Sequence, residues 1–278
     1  MTVQLLGIPY DAHSSYLQGP AEAPTAIRDA LSCGSANWCS ESGRDLDPDR
    51  TSDWEDVGDV IVPPDTLDAL AAIRTRVSAA RSRGARVLAL GGDHLVTWPI
   101  VQGVVGTLPD DGQGLTILHF DAHPDLYDEL DGDRYSHACP FARIMEEGLA
   151  TRLVQLGIRT MTPHQRKQAD RFGVEVHDLR DWDGRVPELS GPVYVSIDID
   201  VLDPAFAPGI SHYEPGGMST RQLLDALRQL HEAGLDIVGA DIVEVNPQRD
   251  VNGMTAMVGA KLVREMLNTL IEADARAV

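Results

Sequence analysis

The sequence predicts an α/β fold in which one mostly parallel sheet is covered by helices on both faces. Three observations support this. Short runs rich in Val, Ile and Leu alternate with longer amphipathic stretches along the chain. The runs are nearly continuous in apolar residues, as expected of parallel strands covered on both sides. The stretches between them carry apolar residues at helical spacing, so strand follows helix throughout.

Taken in order, residues 3–8 form the first expected strand. Asp65 is a plausible cap for a helix in which Leu67, Leu70, Ile73, Val77 and Ala80 recur at helical spacing. Residues 86–90, 115–120, 153–158, 174–176 and 193–197 read as further strands. Ser219-Thr220-Arg221-Gln222 forms a capping box that opens a helix with Leu223, Leu227 and Leu230 inward, and Gly234 stops it. A strand over 237–242 precedes a last helix over 254–272, whose apolar face carries Leu262, Val263, Met266, Leu270 and Ile271. The acidic stretch 41–59 reads as an exposed loop. No repeat and no Pro/Gly/Ser-rich linker divides the chain, so residues 1–278 are expected to form one domain.

Among the 278 residues, 23 Lys and Arg face 43 Asp and Glu, a formal net charge of −20. Nucleic-acid binding needs Lys and Arg to neutralise phosphates, so this balance argues against it, and equally against anionic membrane surfaces. It would favour a small cationic substrate if the charge gathers near a cleft, although a solvated acidic surface accounts for the total alone. Cys33, Cys39 and Cys139 are sparse and lack zinc-knuckle spacing, which suits a reducing cytoplasm rather than a disulfide scaffold. The opening residues show no basic, apolar leader, and the charge-free stretch 94–109 is interrupted by Pro99. That stretch falls short of the ~20 apolar residues a spanning helix needs. The resulting expectation is a cytoplasmic protein without a membrane segment.

Sheets of this type carry their sites beyond the carboxyl ends of the strands, so polar clusters directly after apolar runs are the candidates. The first is Gly91-Gly92-Asp93-His94, where two glycines permit a sharp turn and close backbone approach. By itself the signal is weak, because a histidine leading a helix is more often structural than a ligand. In the second, Asp121-Ala-His123-Pro-Asp125, residues two apart point the same way while the backbone stays extended, so two carboxylates and an imidazole can converge. The bland alternative is a turn in which the aspartates cap backbone amides. His119 and Asp128 flank this set, and His119, inside the apolar run, reads as a hydrogen-bonded core histidine.

The third cluster is Ser196-Ile-Asp198-Ile-Asp200-Val-Leu-Asp203-Pro204. Burying Asp198 among isoleucines costs several kcal/mol unless a cation compensates, and no Lys or Arg lies between Arg185 and Arg221. A bound metal is the economical answer, whereas Asp203 ahead of Pro204 suits the turn. The fourth, Asp241-Ile-Val-Glu244-Val-Asn246-Pro247, offers Glu244 to the same rim. Together Asp121, Asp125, Asp198 and Asp200 supply four negative charges and His94 and His123 two neutral imidazoles. That set balances two divalent cations able to share a hydroxide. Oxygen-dominated ligation without cysteine favours Mn²⁺ over Zn²⁺, so two Mn²⁺ per subunit are expected.

These signatures resemble those of the ureohydrolase superfamily, which holds arginases, agmatinases and formimidoylglutamases. The resemblance runs from Ser14-Ser15-Tyr16-Leu17, with Gly19-Pro20 and Ala26-Ile27-Arg28, to 241–247. It implies a three-layer α/β/α fold on a mostly parallel sheet of about eight strands. It also implies one manganese held by His94, Asp121, Asp125 and Asp198 and another by Asp121, His123, Asp198 and Asp200. In the implied reaction a hydroxide shared by the ions attacks a guanidino carbon and releases urea and an amine. Asp125 would orient that hydroxide, Glu244 would hold the guanidinium nitrogens, and His137 resembles the family's proton-shuttling histidine.

For the substrate, Tyr127 stands where arginases resemble one another in an asparagine, which looks more like agmatinases, as does the segment 141–148. The expected substrate is therefore agmatine or a related small cationic guanidino compound, contacted by Glu244, Tyr127 and His212. Arginase or guanidinobutyrase activity and formimino hydrolysis releasing formamide stand as alternatives. A departure follows the third signature, where Pro208-Gly-Ile-Ser-His212-Tyr-Glu214-Pro replaces the usual agmatinase stretch. His212 or Glu214 would thus reshape the pocket, unless His212 merely bonds within its loop. Family resemblance further implies a homotrimer or homohexamer.

Overall fold

The computed structural model describes residues 2–109 and 112–276, so positions 1 and 277–278, the ends of the expected domain, lie outside the described residues. Strands β1 (Val3–Gly7), β2 (Trp54–Asp59), β3 (Arg86–Leu90), β4 (Thr116–Phe120), β5 (Arg152–Ile158), β6 (Glu175–Asp178), β7 (Pro192–Asp198) and β8 (Asp236–Val243) alternate with helices. They form an eight-stranded sheet in the order β2-β1-β3-β8-β7-β4-β5-β6. Its strand pairings are parallel.

The helices are α1 (Ala23–Leu31), α2 (Thr66–Ser82), α3 (Thr97–Val105), α4 (Pro140–Glu146), α5 (Pro163–Phe172), α6 (Thr220–Ala233) and α7 (Met254–Arg276). Ile27 of α1, Leu227 of α6 and Met266 of α7 pack with Leu5, Leu88 and Leu118 on one side of the sheet. Ile73 of α2, Ile100 of α3 and Phe141 of α4 pack with Leu6, Val87 and Ile117 on the other. Adjacent residues of each strand thus serve opposite cores, which is why the runs read as continuously apolar. The result is the expected three-layer α/β/α fold.

Local chemistry sets the helix ends. Asp65 accepts from the amides of Leu67 and Asp68, and Ser219 and Gln222 form the capping box expected for α6. Gly234 ends α6 in the left-handed conformation, with φ at 67°. A second capping box, Thr162 with Gln165, opens α5, a helix the apolar periodicity had not revealed because it is mostly polar.

The expected loop over 41–59 is corrected, because its last six residues are β2. This strand lies at the edge of the sheet, and only Trp54 is buried while Glu55, Asp56, Gly58 and Asp59 are exposed. An edge strand solvated along most of its length carries no apolar run, so the hydrophobic pattern could not report it. Arg28 of α1 ties it down through its Nε, 2.7 Å from Asp56 Oδ2.

The first signature turn follows β3. A Cβ at Gly92 would overlap the carbonyl oxygen of Tyr10, so no side chain fits there without moving backbone. Substituting Gly92→Ala is expected to cost at least about 2 kcal/mol of folding stability through overpacking. Urea denaturation checks this, and an unchanged midpoint with an unchanged slope would contradict it.

Candidate metal centre and catalytic cleft

Strands β3, β8, β7 and β4 are consecutive neighbours in the sheet, although far apart in sequence. Their carboxyl ends therefore deliver the segments 91–94, 241–246, 198–203 and 121–125 side by side. Two of the delivered residues pay in backbone strain: Asp125 has φ 47° and Glu244 φ 65°. Non-glycine residues hold such angles at a cost of about 1–3 kcal/mol, and they do so where surrounding structure over-determines them.

His94 is the focus of the centre. Its Nδ1 lies 3.0 Å from Asp125 Oδ2, 3.2 Å from Asp121 Oδ2 and 3.2 Å from Asp198 Oδ2. It is buried, yet Nδ1 has no hydrogen-bond partner among the described residues. A second group of potential ligand atoms comprises Asp121, His123 and Asp200. In it, His123 Nδ1 lies 3.0 Å from Asp200 Oδ2 and 3.5 Å from Asp121 Oδ1. The two groups share Asp121. Asp198 falls in the first alone, and its Oδ1 accepts the amide of Asp200 at 2.8 Å.

All four carboxylates are buried and no lysine or arginine lines the cleft they face. Burial, reinforced by Asp200 and Asp121, pushes the Asp198 carboxyl well above its usual range, and burial pushes Asp200 up to about 6. Burial opposes ionisation of Asp121 too, but His119, His123 and His94 hold it well below the usual range. An unbonded imidazole nitrogen aimed at three carboxylate oxygens, in a buried pocket without a lysine or arginine, fits divalent cations.

Surrounding groups orient the set. The Gln155 amide donates to Pro124 O at 2.7 Å and lies 3.0 Å from His119 Nδ1. His119 Nδ1 must then accept, so its Nε2–H donates to Asp121 Oδ2 at 2.8 Å. His119 is thus the hydrogen-bonded core histidine expected from the sequence. Asp128 turns away to pair with His164 at 2.8 Å. Asp203 shapes the turn as expected, accepting the amides of Ala205, Gly216 and Gly217.

Beside the metal groups lies a cavity of about 210 Å³ lined by Asp125, Tyr127, His137, His212, Glu214 and Glu244 among others. Glu244 Oε1 accepts from the His94 amide at 2.9 Å and from His137 Nδ1 at 2.8 Å, leaving Oε2 for a substrate. Burial lowers the His137 pKa, but Glu244 more than offsets this and brings it to about 9. His137 is then a cation at neutral pH, with Nε2 2.9 Å from Ser15 Oγ.

His212 does line the cavity, its ring 4.9 Å from that of His137. Burial and then the neighbouring His137 lower its pKa. The Tyr127 hydroxyl donates to Thr162 Oγ1 at 3.2 Å, and its ring stacks on His164. Sequence reasoning gave no role to Ser15, Gln155 or Ser196. Only Ser196 had a usable signal, since it lies two residues before Asp198 and shares its face.

The profile described as "Arginase family" matches residues 1–268. "Arginase 1, mitochondrial" of Arabidopsis thaliana is 48% identical over 95% of this chain and 80% of its own. The guanidinopropionase of Pseudomonas aeruginosa is 38% identical over 100% of this chain and 89% of its own. The agmatinase of Bacillus anthracis is 35% identical over 95% of this chain and 90% of its own. Among solved structures, the arginase from Medicago truncatula superposes with a TM-score of 0.87 at 43% identity, covering 97% of this chain and 87% of that one.

One expectation is outweighed by its alternative and another is corrected. The leaning toward agmatinases rested on Tyr127 and one short segment, whereas identity over the chain is 48% to the Arabidopsis arginase against 35% to the agmatinase. The cytoplasmic location rested on sparse cysteines and the character of the opening residues. Plant relatives are named mitochondrial, or chloroplastic and mitochondrial, which points away from it. Reduced cysteines do not distinguish these compartments. No helix among the described residues is long and apolar enough to cross a membrane.

In metal-stripped protein, His137 is expected to titrate near about 9, above its ordinary 6.5. Its contribution to folding stability is then complete below about pH 6.5 and is lost as pH rises through about 9. Histidine NMR across that range checks the midpoint, which Glu244→Gln is expected to lower. A midpoint unmoved by that change would refute the pairing.

Proposed function

The chain belongs to the arginase family, metal-binding hydrolases that act on carbon–nitrogen bonds of linear amidines, and from that premise we propose that it is a two-manganese hydrolase of L-arginine, working as a single domain. The observation that carries the hydrolytic reading is the unbonded His94 Nδ1 within 3.2 Å of three buried carboxylates. The substrate rests on the identity to plant arginases, which exceeds that to the guanidinopropionase and the agmatinase. In this proposal His94, Asp121, Asp125 and Asp198 hold one ion, and Asp121, His123, Asp198 and Asp200 the other.

Bound divalent cations lower the pKa of water enough to supply hydroxide near neutral pH. The residues do the rest. Glu244, fixed through Oε1 by two donors, turns its second oxygen to the guanidinium and forms charge-assisted bonds that hold the carbon in line. Asp125 orients the nucleophile. The nitrogen that leaves must gain a proton, and His137, paired to Glu244 through Nδ1, turns its Nε2 to the Ser15 hydroxyl in the same cavity.

A cavity with five carboxylate-bearing residues and no lysine or arginine suits a cationic substrate. Thr160 and Gln165 line the same cavity and offer uncharged donors to an α-carboxylate, while Glu214 offers an acceptor to an α-ammonium. Those groups have no use for agmatine, which lacks the carboxylate. The homotrimer or homohexamer implied by the resemblance remains part of the proposal.

The test is a panel of L-arginine, agmatine, 3-guanidinopropionate and 4-guanidinobutyrate, with urea and formamide both measured after Mn²⁺ loading. L-Arginine is expected to give the highest kcat/KM, with urea as product. Asp121→Ala, which removes the carboxylate common to both ligand groups, is expected to lower kcat by at least about 10³-fold, with a matching loss of bound metal. Chelation followed by Mn²⁺ should abolish and then restore turnover. Turnover of agmatine well above arginine would overturn the substrate, and formamide as the product would overturn the reaction.

A further inference from the structure

Asp241 is a buried carboxylate on β8 for which the reaction above has no use. Three hydroxyls surround it. Tyr194 Oη and Thr97 Oγ1 donate to Oδ2 at 2.7 and 2.9 Å, and Ser196 Oγ donates to Oδ1 at 2.7 Å. A carboxylate can only accept, so each hydroxyl spends its single proton on Asp241. Ser196 Oγ also lies 3.1 Å from His94 Nε2. With its proton already committed, Ser196 can only accept there, and the hydrogen must sit on His94 Nε2. The lone pair of His94 is then on Nδ1, the atom facing Asp121, Asp125 and Asp198.

We propose that Asp241 is a positioning residue which, through Ser196, holds His94 in the tautomer and orientation that a divalent cation requires. The inference rests on the metal-hydrolase reading above. The direction of the relay is set by proton counting at Ser196. Tyr194 and Thr97 hold Oδ2 of Asp241, which leaves Oδ1 to Ser196. β7 and β8 are paired directly, with Ser196 in register with Asp241, which makes the relay part of the sheet rather than of a loop. Outer partners of this kind typically change metal affinity by about 10–100-fold when removed.

The experiment uses the full chain loaded with Zn²⁺, a diamagnetic probe, with histidine-¹⁵N NMR and metal titration. In the parent protein, His94 is expected to show a nitrogen-bound proton on Nε2 that is shifted downfield and exchanges slowly. Ser196→Ala is expected to abolish that protected signal and weaken one of two Zn²⁺ sites by about 10–100-fold. Ser196→Thr restores the hydroxyl and is expected to restore both readings. If Ser196→Ala does not fold, Thr97→Val carries the test: a shifted Nε2–H signal with a few-fold weaker site supports the relay. An unchanged signal and unchanged affinity in whichever variant is read would overturn it. Absence of any Zn²⁺ or Mn²⁺ binding by the parent chain would sink the metal reading instead, a different result from intact binding that ignores Ser196.

Discussion

The arrangement depends on one electrostatic constraint: four carboxylates are buried at the ends of adjacent central strands with no lysine or arginine in the cleft. Side-by-side anions in a low-dielectric pocket repel one another, and desolvation adds several kcal/mol for each that stays ionised. The protein's own groups relieve this only in part. His94 and His123 face the oxygens, and the outward neighbours His119 and Asp241 are already engaged. What completes the balance must be small, positive and able to accept lone pairs from several directions at once. Divalent metal ions meet those requirements, and the family to which the chain belongs binds metal.

The topology explains how such a set can be assembled from segments more than a hundred residues apart. A parallel sheet aligns the carboxyl ends of its strands along one edge, and the order β3-β8-β7-β4 makes neighbours of four strands, three of whose ends carry the clustered His and Asp side chains and one Glu244. Asp121, Asp198 and Asp200 lie within two residues of a strand's end, so strand geometry aims them, whereas Asp125 is placed by its left-handed backbone. The buried bases of the strands hold that aim, because every residue of β3 and β4 is buried.

Much of this was legible in the sequence. Seven strands announced themselves as apolar runs, and the Asp and His residues placed two apart at the ends of two of them pointed to convergence. Residue Asp198, flanked by isoleucines and far from any cation in sequence, could be recognised as an expensive burial. What escaped had little or no local signal. β2 carries three charged residues because an edge strand needs little apolar surface. Gln155 and Ser196 act only across strand pairs, and a pairing cannot be read until the strand order is known. Tyr127 misled because a single position was weighed without its partner: its hydroxyl is spent on Thr162, so its identity says little about what the cavity holds.

Fixed geometry is the feature these observations have in common. Asp125 and Glu244 sit in left-handed backbone conformations, and Glu244 is further pinned by the His94 amide and His137. A chain that merely needed carboxylates in a cleft would relax such residues into ordinary φ values. Strain retained at two positions facing one cavity instead restricts where the oxygens can be, so little reorganisation remains to be done when a guanidinium arrives. The same logic extends outward through hydrogen bonds. His119 fixes an oxygen of Asp121, Glu244 fixes a nitrogen of His137, and the buried hydroxyls around Asp241 fix Ser196. Because a guanidinium carbon is a poor electrophile, precision in placing nucleophile, carbon and proton donor is where such a protein can gain most, and the sheet supplies it.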